Sequence, residues 1–273
     1  MPARVEALTL ERPRSLKAAL SMLAGDARLT PIAGCTDVYV GLHFGTLADR
    51  RFIDLWPLDE LRGISSKEDV VRIGALTTYS ELIASKTILK RLPMLVAAAR
   101  EVGGAQIQNR GTLGGNVANG SPAGDTLPVL LAADARVILR SARGERTVPF
   151  TSFYTGYRAS VRRPEELITA IEFPAVEGRQ WWRKVGTRRA QAISKIMIAG
   201  VRGRQVRIAF GSVGPTVVLA SKAAAILQNG GTVADAQAAL LTEIAPIDDI
   251  RSTREYRARV AANLLAEFWN ATK

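Results

Sequence analysis

QIQNRGTLGGNVANGSPAGD, residues 106–125, is the stretch from which the rest of the chain is read. It holds five glycines (Gly111, Gly114, Gly115, Gly120 and Gly124), three asparagines, one arginine (Arg110) and a closing aspartate, Asp125. Long side chains are scarce and backbone donors are plentiful, so the segment cannot pack a core of its own. It can wrap something polar at close range. Glycine lets a backbone approach a ligand and take positive φ at little steric cost. Runs of exposed N–H groups form concavities suited to phosphate oxygens. Asp125 has two readings: a cap for a helix beginning at Thr126, or an acceptor for a ribose hydroxyl or a base amine.

Upstream, residues 29–32 read as a short apolar strand that feeds Ala33-Gly34-Cys35-Thr36-Asp37 and then a helix over residues 38–42. A strand, tight glycine turn and helix start place free N–H groups where an anion is favoured, and Thr36 or Asp37 is placed to cap the helix. The chain therefore carries two glycine cradles about seventy residues apart, which could share one pyrophosphate. Neither is a Gly-x-Gly-x-x-Gly dinucleotide fingerprint, and neither ends in the Gly-Lys-Ser/Thr of a Walker A loop.

The other elements follow from periodicity and caps. Residues 5–10 read as a strand. Ser15 caps a helix with Leu16, Ala19, Leu20 and Leu23 on one face. Residues 51–55 and 70–74 read as strands, and Thr78 with Glu81 makes a capping box. A helix over residues 92–102 stops at Gly103-Gly104. A short helix over 126–133, a strand over 135–139, a turn at 143–145 and a strand over 167–173 complete the first part. Residues 175–179 shift in composition, so the boundary falls there, between domains 1–175 and 176–273. Beyond it, residues 181–185, 196–201 and 206–210 alternate like antiparallel strands. Helices over 221–227, 233–241 and 253–269 follow, the last with Tyr256, Val260, Leu264 and Phe268 spaced every four residues as its inner face.

Composition excludes several functions. The 273 residues carry one cysteine and one histidine, Cys35 and His43. No disulfide, all-cysteine iron–sulfur cluster or ordinary zinc site can be built from them. There is no apolar run long enough to span a membrane and no signal-peptide core, which points to the cytoplasm. The net charge is +12, but the cations are spread out and no nucleic-acid module accompanies them; an acidic partner or a phosphate-bearing cofactor accounts for the charge. No set of acid, base and nucleophile is legible. His43 reads as structural and Cys35 as a small residue filling a tight turn. The expectation is therefore no catalytic side chain and no metal ligand, with a bound cofactor supplying the chemistry.

The motifs resemble those of the FAD-binding medium subunit of the molybdenum hydroxylases, the flavoprotein component of xanthine dehydrogenase and carbon monoxide dehydrogenase type complexes. Ile32-Ala33-Gly34-Cys35-Thr36-Asp37-Val38 is similar to that family's first FAD loop, with Cys35 where Gly or Asn is usual. Ile73-Gly74-Ala75-Leu76-Thr77-Thr78-Tyr79 is similar to its next hallmark. Arg110-Gly111-Thr112-Leu113-Gly114-Gly115-Asn116, with Ser121 and Asp125, is similar to its second FAD loop. Val102 and Gly103 precede that loop, Ile168 falls on the strand that touches the flavin, and Lys184 falls on the Arg183-Lys184-Val185 segment placed at the ring. The resemblance implies an α+β fold, with a two-part FAD-binding domain of the vanillyl-alcohol-oxidase (PCMH) type followed by a smaller C-terminal α+β domain. It implies FAD on this chain, and molybdopterin and two-iron two-sulfur clusters on a large and a small partner subunit. It also implies electron relay to an external acceptor such as NAD or oxygen. A stand-alone flavoenzyme of the same superfold is the alternative. Many members carry an acidic residue after the Lys/Arg motif, where this chain reads Ala190-Gln191-Ala192-Ile193-Ser194.

Overall fold

The computed structural model describes residues 8–48 and 51–273; residues 5–7 of the expected first strand lie outside them. The chain opens with β1 (Thr9–Glu11), α1 (Leu16–Gly25), β2 (Thr30–Ile32), α2 (Val38–His43) and β3 (Arg51–Asp54). The three strands form a parallel sheet in the order β1-β3-β2. Parallel strands need crossover connections; α1 lies in the one from β1 to β2 and α2 in the one from β2 to β3. Ser15 caps α1 by accepting from the Ala18 amide. Leu16, Ala19, Leu20 and Leu23 then pack with Ile53, Leu55 and Leu61 into a small core. In contrast, α2 buries no residue at all. Asp37 heads it with φ −92° and ψ −34° and makes no side-chain cap bond. Capping needs an extended residue whose oxygen turns back onto the helix amides; helical backbone at Asp37 turns it away, which corrects the expected cap.

The middle of the chain runs through β4 (Ile64–Lys67) and β5 (Val70–Gly74), then six helices: α3 (Tyr79–Ala84), α4 (Lys86–Arg91), α5 (Pro93–Arg100), α6 (Ala105–Gln108), α7 (Leu113–Asn119) and α8 (Leu127–Ala132). It continues through β6 (Arg136–Ser141), β7 (Gly144–Pro149), the small hairpin β8 (Tyr154–Gly156) and β9 (Ala159–Ser160), and β10 (Leu167–Phe173). An antiparallel sheet of order β4-β5-β10-β6-β7 results. Its central strand β10 is buried at every residue but Glu172, because α1 with the small parallel sheet covers one face and the helices cover the other. The Thr78–Glu81 capping box forms as read.

The last part is β11 (Arg179–Val185), β12 (Ile196–Arg202), β13 (Val206–Gly211) and β14 (Val218–Leu219), in antiparallel order, backed by α9 (Ser221–Gln228), α10 (Val233–Glu243) and α11 (Arg254–Ala271). Alternation along a strand sends neighbours to opposite faces. Ile196, Ile198, Ile208 and Phe210 accordingly pack with α9–α11, whereas Ala199, Val201 and Ala209 join the helices of the middle region in the main core. The C-terminal sheet is thus sandwiched, and its small-residue face is the contact with the rest of the chain.

The inner face of α11 differs from the expected stripe: Arg257, Ala261, Leu264, Leu265 and Phe268 are buried, and Tyr256 is 41% exposed. A spacing of four overshoots the 3.6-residue turn, so three such steps walk the stripe a third of the way round. Buried Arg257 donates to the Ile247 carbonyl and to Asp249 at 2.9 and 2.8 Å. Burial pushes the Asp249 carboxyl up, but hydrogen bonds from Arg257 and from the Arg251 and Ser252 amides outweigh it and hold the pKa at about 2. A depressed folded pKa gives stability that is present above the unfolded value and lost as pH falls through the folded one. Acid titration of the unfolding free energy should therefore lose roughly 1 kcal/mol from this group between about pH 4 and pH 2, and Asp249→Asn should remove that loss.

Candidate functional site

A groove of about 580 Å³ opens where the first glycine turn meets the N-terminal end of α7. Ile32, Ala33, Gly34, Cys35, Thr36, Asp37 and Val38 form one wall; Gly111, Thr112, Gly114, Gly115 and Asn116 form the other; Val102, Tyr79 and Ile168 also line it. The two turns touch backbone to backbone. A Cβ added at Gly34 would lie 1.7 Å from the Arg110 carbonyl oxygen, so only glycine permits the crossing.

The walls are chemically different. Among the described residues, the amides of Gly34, Cys35, Thr36 and Asp37 have no protein acceptor. Four successive N–H groups without a protein acceptor on a groove wall are placed to serve an anionic ligand. The second wall has no such surplus, which corrects the expectation of plentiful donors there. Its Leu113, Gly114, Gly115 and Asn116 amides donate to the Thr77 carbonyl, the Ala75 carbonyl, the Thr112 hydroxyl and the Thr112 carbonyl. Its glycines serve close packing instead. A Cβ on Gly114 would meet Ala75 at 2.6 Å, and one on Gly111 would meet the Tyr79 ring at 2.9 Å. Gly115 alone of the three is exposed, and a Cβ there would meet only the Thr112 hydroxyl within 4 Å. Gly115→Val should therefore abolish retention of the FAD that the resemblance implies, while the circular dichroism spectrum stays near wild type. Gly114→Val should lower the unfolding temperature through Ala75. Equal flavin content in Gly115→Val and wild type would contradict the placement of this wall.

Cys35 sits at φ +60° with its thiol donating to the Ala33 carbonyl at 3.3 Å. Burial and the nearby Asp54 carboxylate push that thiol up, against Arg110, so it is not poised as a nucleophile. His43 is exposed beside Phe44 at the end of α2 and does not line the groove.

Five residues expected at the cofactor stand behind the groove. Arg110 lays its guanidinium over the Trp56 ring at 3.7 Å, with Arg62 over the same ring at 4.4 Å, a cation–π arrangement that anchors the second turn. Gly103 takes φ +53° against Ile107, and the Ser121 hydroxyl accepts from the Ala123 amide. Asp125 and Lys184 meet each other. The Lys184 ammonium donates to the Asp125 carboxylate at 2.7 Å and to the Glu101 carbonyl at 3.1 Å; the Ser194 hydroxyl donates to the other Asp125 oxygen at 2.5 Å. Burial pushes the Asp125 carboxyl up, while Lys184 and Ser194 pull it down. The helix it was expected to cap, α8, begins at Leu127 after Thr126, with no side-chain cap. The pair therefore ties the end of the second turn to β11 and to the segment before β12.

Sequence reading missed the cations of the groove. Arg158 and Arg162 both line it, from the β8–β9 hairpin and the segment after it. Arg162 donates to the carbonyls of Arg163 and Glu166. Glu166, also in the lining, accepts from Nε and Nη2 along one edge of the Arg146 guanidinium at 2.6 and 2.8 Å, and those bonds hold its carboxyl down despite burial. The one available signal was the arginine density of residues 158–163, which a scan for glycine loops passes over. The resulting groove offers unpaired amides, two guanidinia and apolar contact at Ile168, with both of its acids already paired. It suits an extended ligand with phosphates, and it lacks a free acid or base for chemistry of its own. Among the described residues no cluster of His, Cys, Asp or Glu could hold a metal, and no helix is long and apolar enough to cross a membrane.

Comparison with known proteins agrees along the whole chain. Residues 6–176 match the family profile described as the FAD binding domain in molybdopterin dehydrogenase, and residues 183–272 match that of the CO dehydrogenase flavoprotein C-terminal domain. The chain is 33% identical to the xanthine dehydrogenase FAD-binding subunit of Escherichia coli O157:H7, over 90% of this chain and 89% of that one. It is 31% identical to the carbon monoxide dehydrogenase medium chain of Hydrogenophaga pseudoflava, covering 93% and 92%. Among solved structures it is similar to carbon monoxide dehydrogenase from Hydrogenophaga pseudoflava lacking the Mo-pyranopterin moiety of its cofactor. The TM-score is 0.92 at 28% identity, over 100% of this chain and 98% of that one.

Proposed function

The chain belongs to the family of FAD-binding medium subunits of molybdenum hydroxylases, oxidoreductase components, and on that footing we propose that its groove holds FAD with the pyrophosphate between the two glycine turns. The observation that carries this reading is the run of unpaired amides from Gly34 to Asp37, which phosphate oxygens would satisfy. Bound FAD supplies the capacity to take electrons singly and deliver them in pairs. The chain's own residues position it. Gly111, Thr112, Gly114, Gly115 and Asn116 shape the opposite wall, Val102 and Ile168 offer apolar contact, and Arg158 and Arg162 balance charge. Arg110, Gly103 and Ser121 hold the second turn from behind, and Asp125 with Lys184 fixes it to the C-terminal sheet. No side chain is assigned a proton-transfer role.

In this reading electrons come from iron–sulfur clusters on a small partner subunit, after substrate oxidation on a molybdopterin-bearing large subunit, and leave to an acceptor such as NAD or oxygen in the cytoplasm. The relatives' names support the assembly; the acceptor follows from flavin chemistry and the resemblance. Affinity capture of the tagged chain from its native host, with metal and flavin analysis, tests it. Molybdenum, iron and FAD should co-elute in fixed proportion. Capture of the chain alone, fully active with its own substrate, would overturn the reading in favour of a self-sufficient flavoenzyme.

A further inference from the structure

We propose that Arg158 is the cation that closes over the cofactor's pyrophosphate, and that Asp37 is the internal anion it gives up when the ligand arrives. The proposal rests on the reading of the groove as an FAD site.

Arg158 occupies the turn between β8 and β9 at φ +51°. That region suits glycine and is costly for a long side chain. Such a conformation persists where its surroundings fix it. Here the surroundings are visible. The Tyr154 hydroxyl donates to the Val117 carbonyl at 2.8 Å. A Cβ at Gly120, itself at φ +58°, would meet the Tyr154 ring at 3.0 Å and the Arg158 Cα at 3.5 Å. The hairpin is thus pressed onto the C-terminal end of α7 with Arg158 at its tip.

From that tip the guanidinium spans both walls. It donates to the Asn119 side-chain oxygen on α7 at 2.6 Å and lies 3.5 Å from the Asp37 carboxylate on the first turn. Asp37 follows directly on the amides of Gly34, Cys35 and Thr36, so an anion bound there would face its carboxylate. Arg158 lies within 3.5 Å of that carboxylate. The other groove cation, Arg162, is committed to two carbonyls, and Glu166 is committed to Arg146. Both partners of the Arg158–Asp37 pair remain substantially exposed, at 43% and 56% of their side chains, so the pair is weak. At 3.5 Å the pair makes no hydrogen bond, whereas a guanidinium can meet a phosphate through two charge-assisted hydrogen bonds, so exchanging Asp37 for phosphate oxygens gains bonds.

The test is equilibrium binding of FAD and of riboflavin, which lacks the pyrophosphate, to the purified full chain and to Arg158→Gly, Arg158→Lys and Asp37→Asn. Arg158→Gly should weaken FAD binding about tenfold or more and leave riboflavin binding unchanged. Its unfolding temperature should stay level or rise, because glycine accepts the positive φ without strain. Arg158→Lys should recover part of the affinity as a point charge without the fork. Asp37→Asn should tighten FAD binding, with a gain that shrinks as salt is added. The proposal is overturned if Arg158→Gly binds FAD like the wild type, if it loses FAD and riboflavin equally, or if Asp37→Asn weakens FAD binding. Wild-type chain that binds no FAD would instead bring down the groove assignment itself.

Discussion

Gly34→Ala should cost this chain both its cofactor and a large part of its stability. The methyl group would be placed 1.7 Å from the carbonyl oxygen of Arg110. That neighbour is backbone, so no rotamer change relieves the overlap. The turn after β2 and the turn before α7 must separate, and the separation strips the Gly34–Asp37 amides from the second wall. Overpacking in a tight contact costs about 1–3 kcal/mol and sometimes more, and a clash with backbone belongs at the upper end. Urea denaturation should show a midpoint well below wild type, and the variant should emerge from purification colourless after incubation with FAD. A Gly34→Ala protein with wild-type midpoint and wild-type flavin content would mean that the two turns do not cross as described.

The second large effect is expected at the buried ion pair. The Asp125 and Lys184 side chains are only 10% and 5% exposed. Removing one charge leaves the other in a poor solvent, which typically costs about 3–5 kcal/mol. Lys184→Met and Asp125→Asn should each be strongly destabilised, whereas the double variant should lie closer to wild type than the sum of the two losses. A double-mutant cycle on unfolding free energies measures that difference. Ser194→Ala should follow in the same direction with a smaller loss, because it removes one hydrogen bond to the carboxylate and no charge. Additive losses would show that the two residues act separately, each toward something other than its partner.

Local chemistry carried much of the fold into the sequence. Ser15 and the Thr78–Glu81 box announce their helices because a cap is a short-range bond between residues three apart, and both form as read. The central strand β10 is legible because it is apolar at every position but Thr169 and Glu172, as suits a strand covered on both faces. Elements with little apolar content were invisible: β4 is Ile-Ser-Ser-Lys, and α4 buries only Ile88. The site was legible in its glycines and not in the use made of them. The second turn reads as rich in donors, yet tertiary contacts with Ala75 and Thr77 consume its amides. The partnership of Asp125 with Lys184 joins positions 59 residues apart, and the reach of Arg158 to Asn119 joins positions 39 apart. Such pairings are decided by how the hairpin and the C-terminal sheet settle on the helices, and no spacing rule encodes them.

The central claim is that the groove between the two glycine turns is where FAD sits, held by the amides of the first turn. Titrating the purified chain with FAD, followed by flavin fluorescence, in parallel with Gly115→Val, tests it most directly. The structure predicts saturable, stoichiometric binding by the wild type and none by the variant at unchanged secondary structure. Equal binding by both proteins, or none by the wild type, would contradict it.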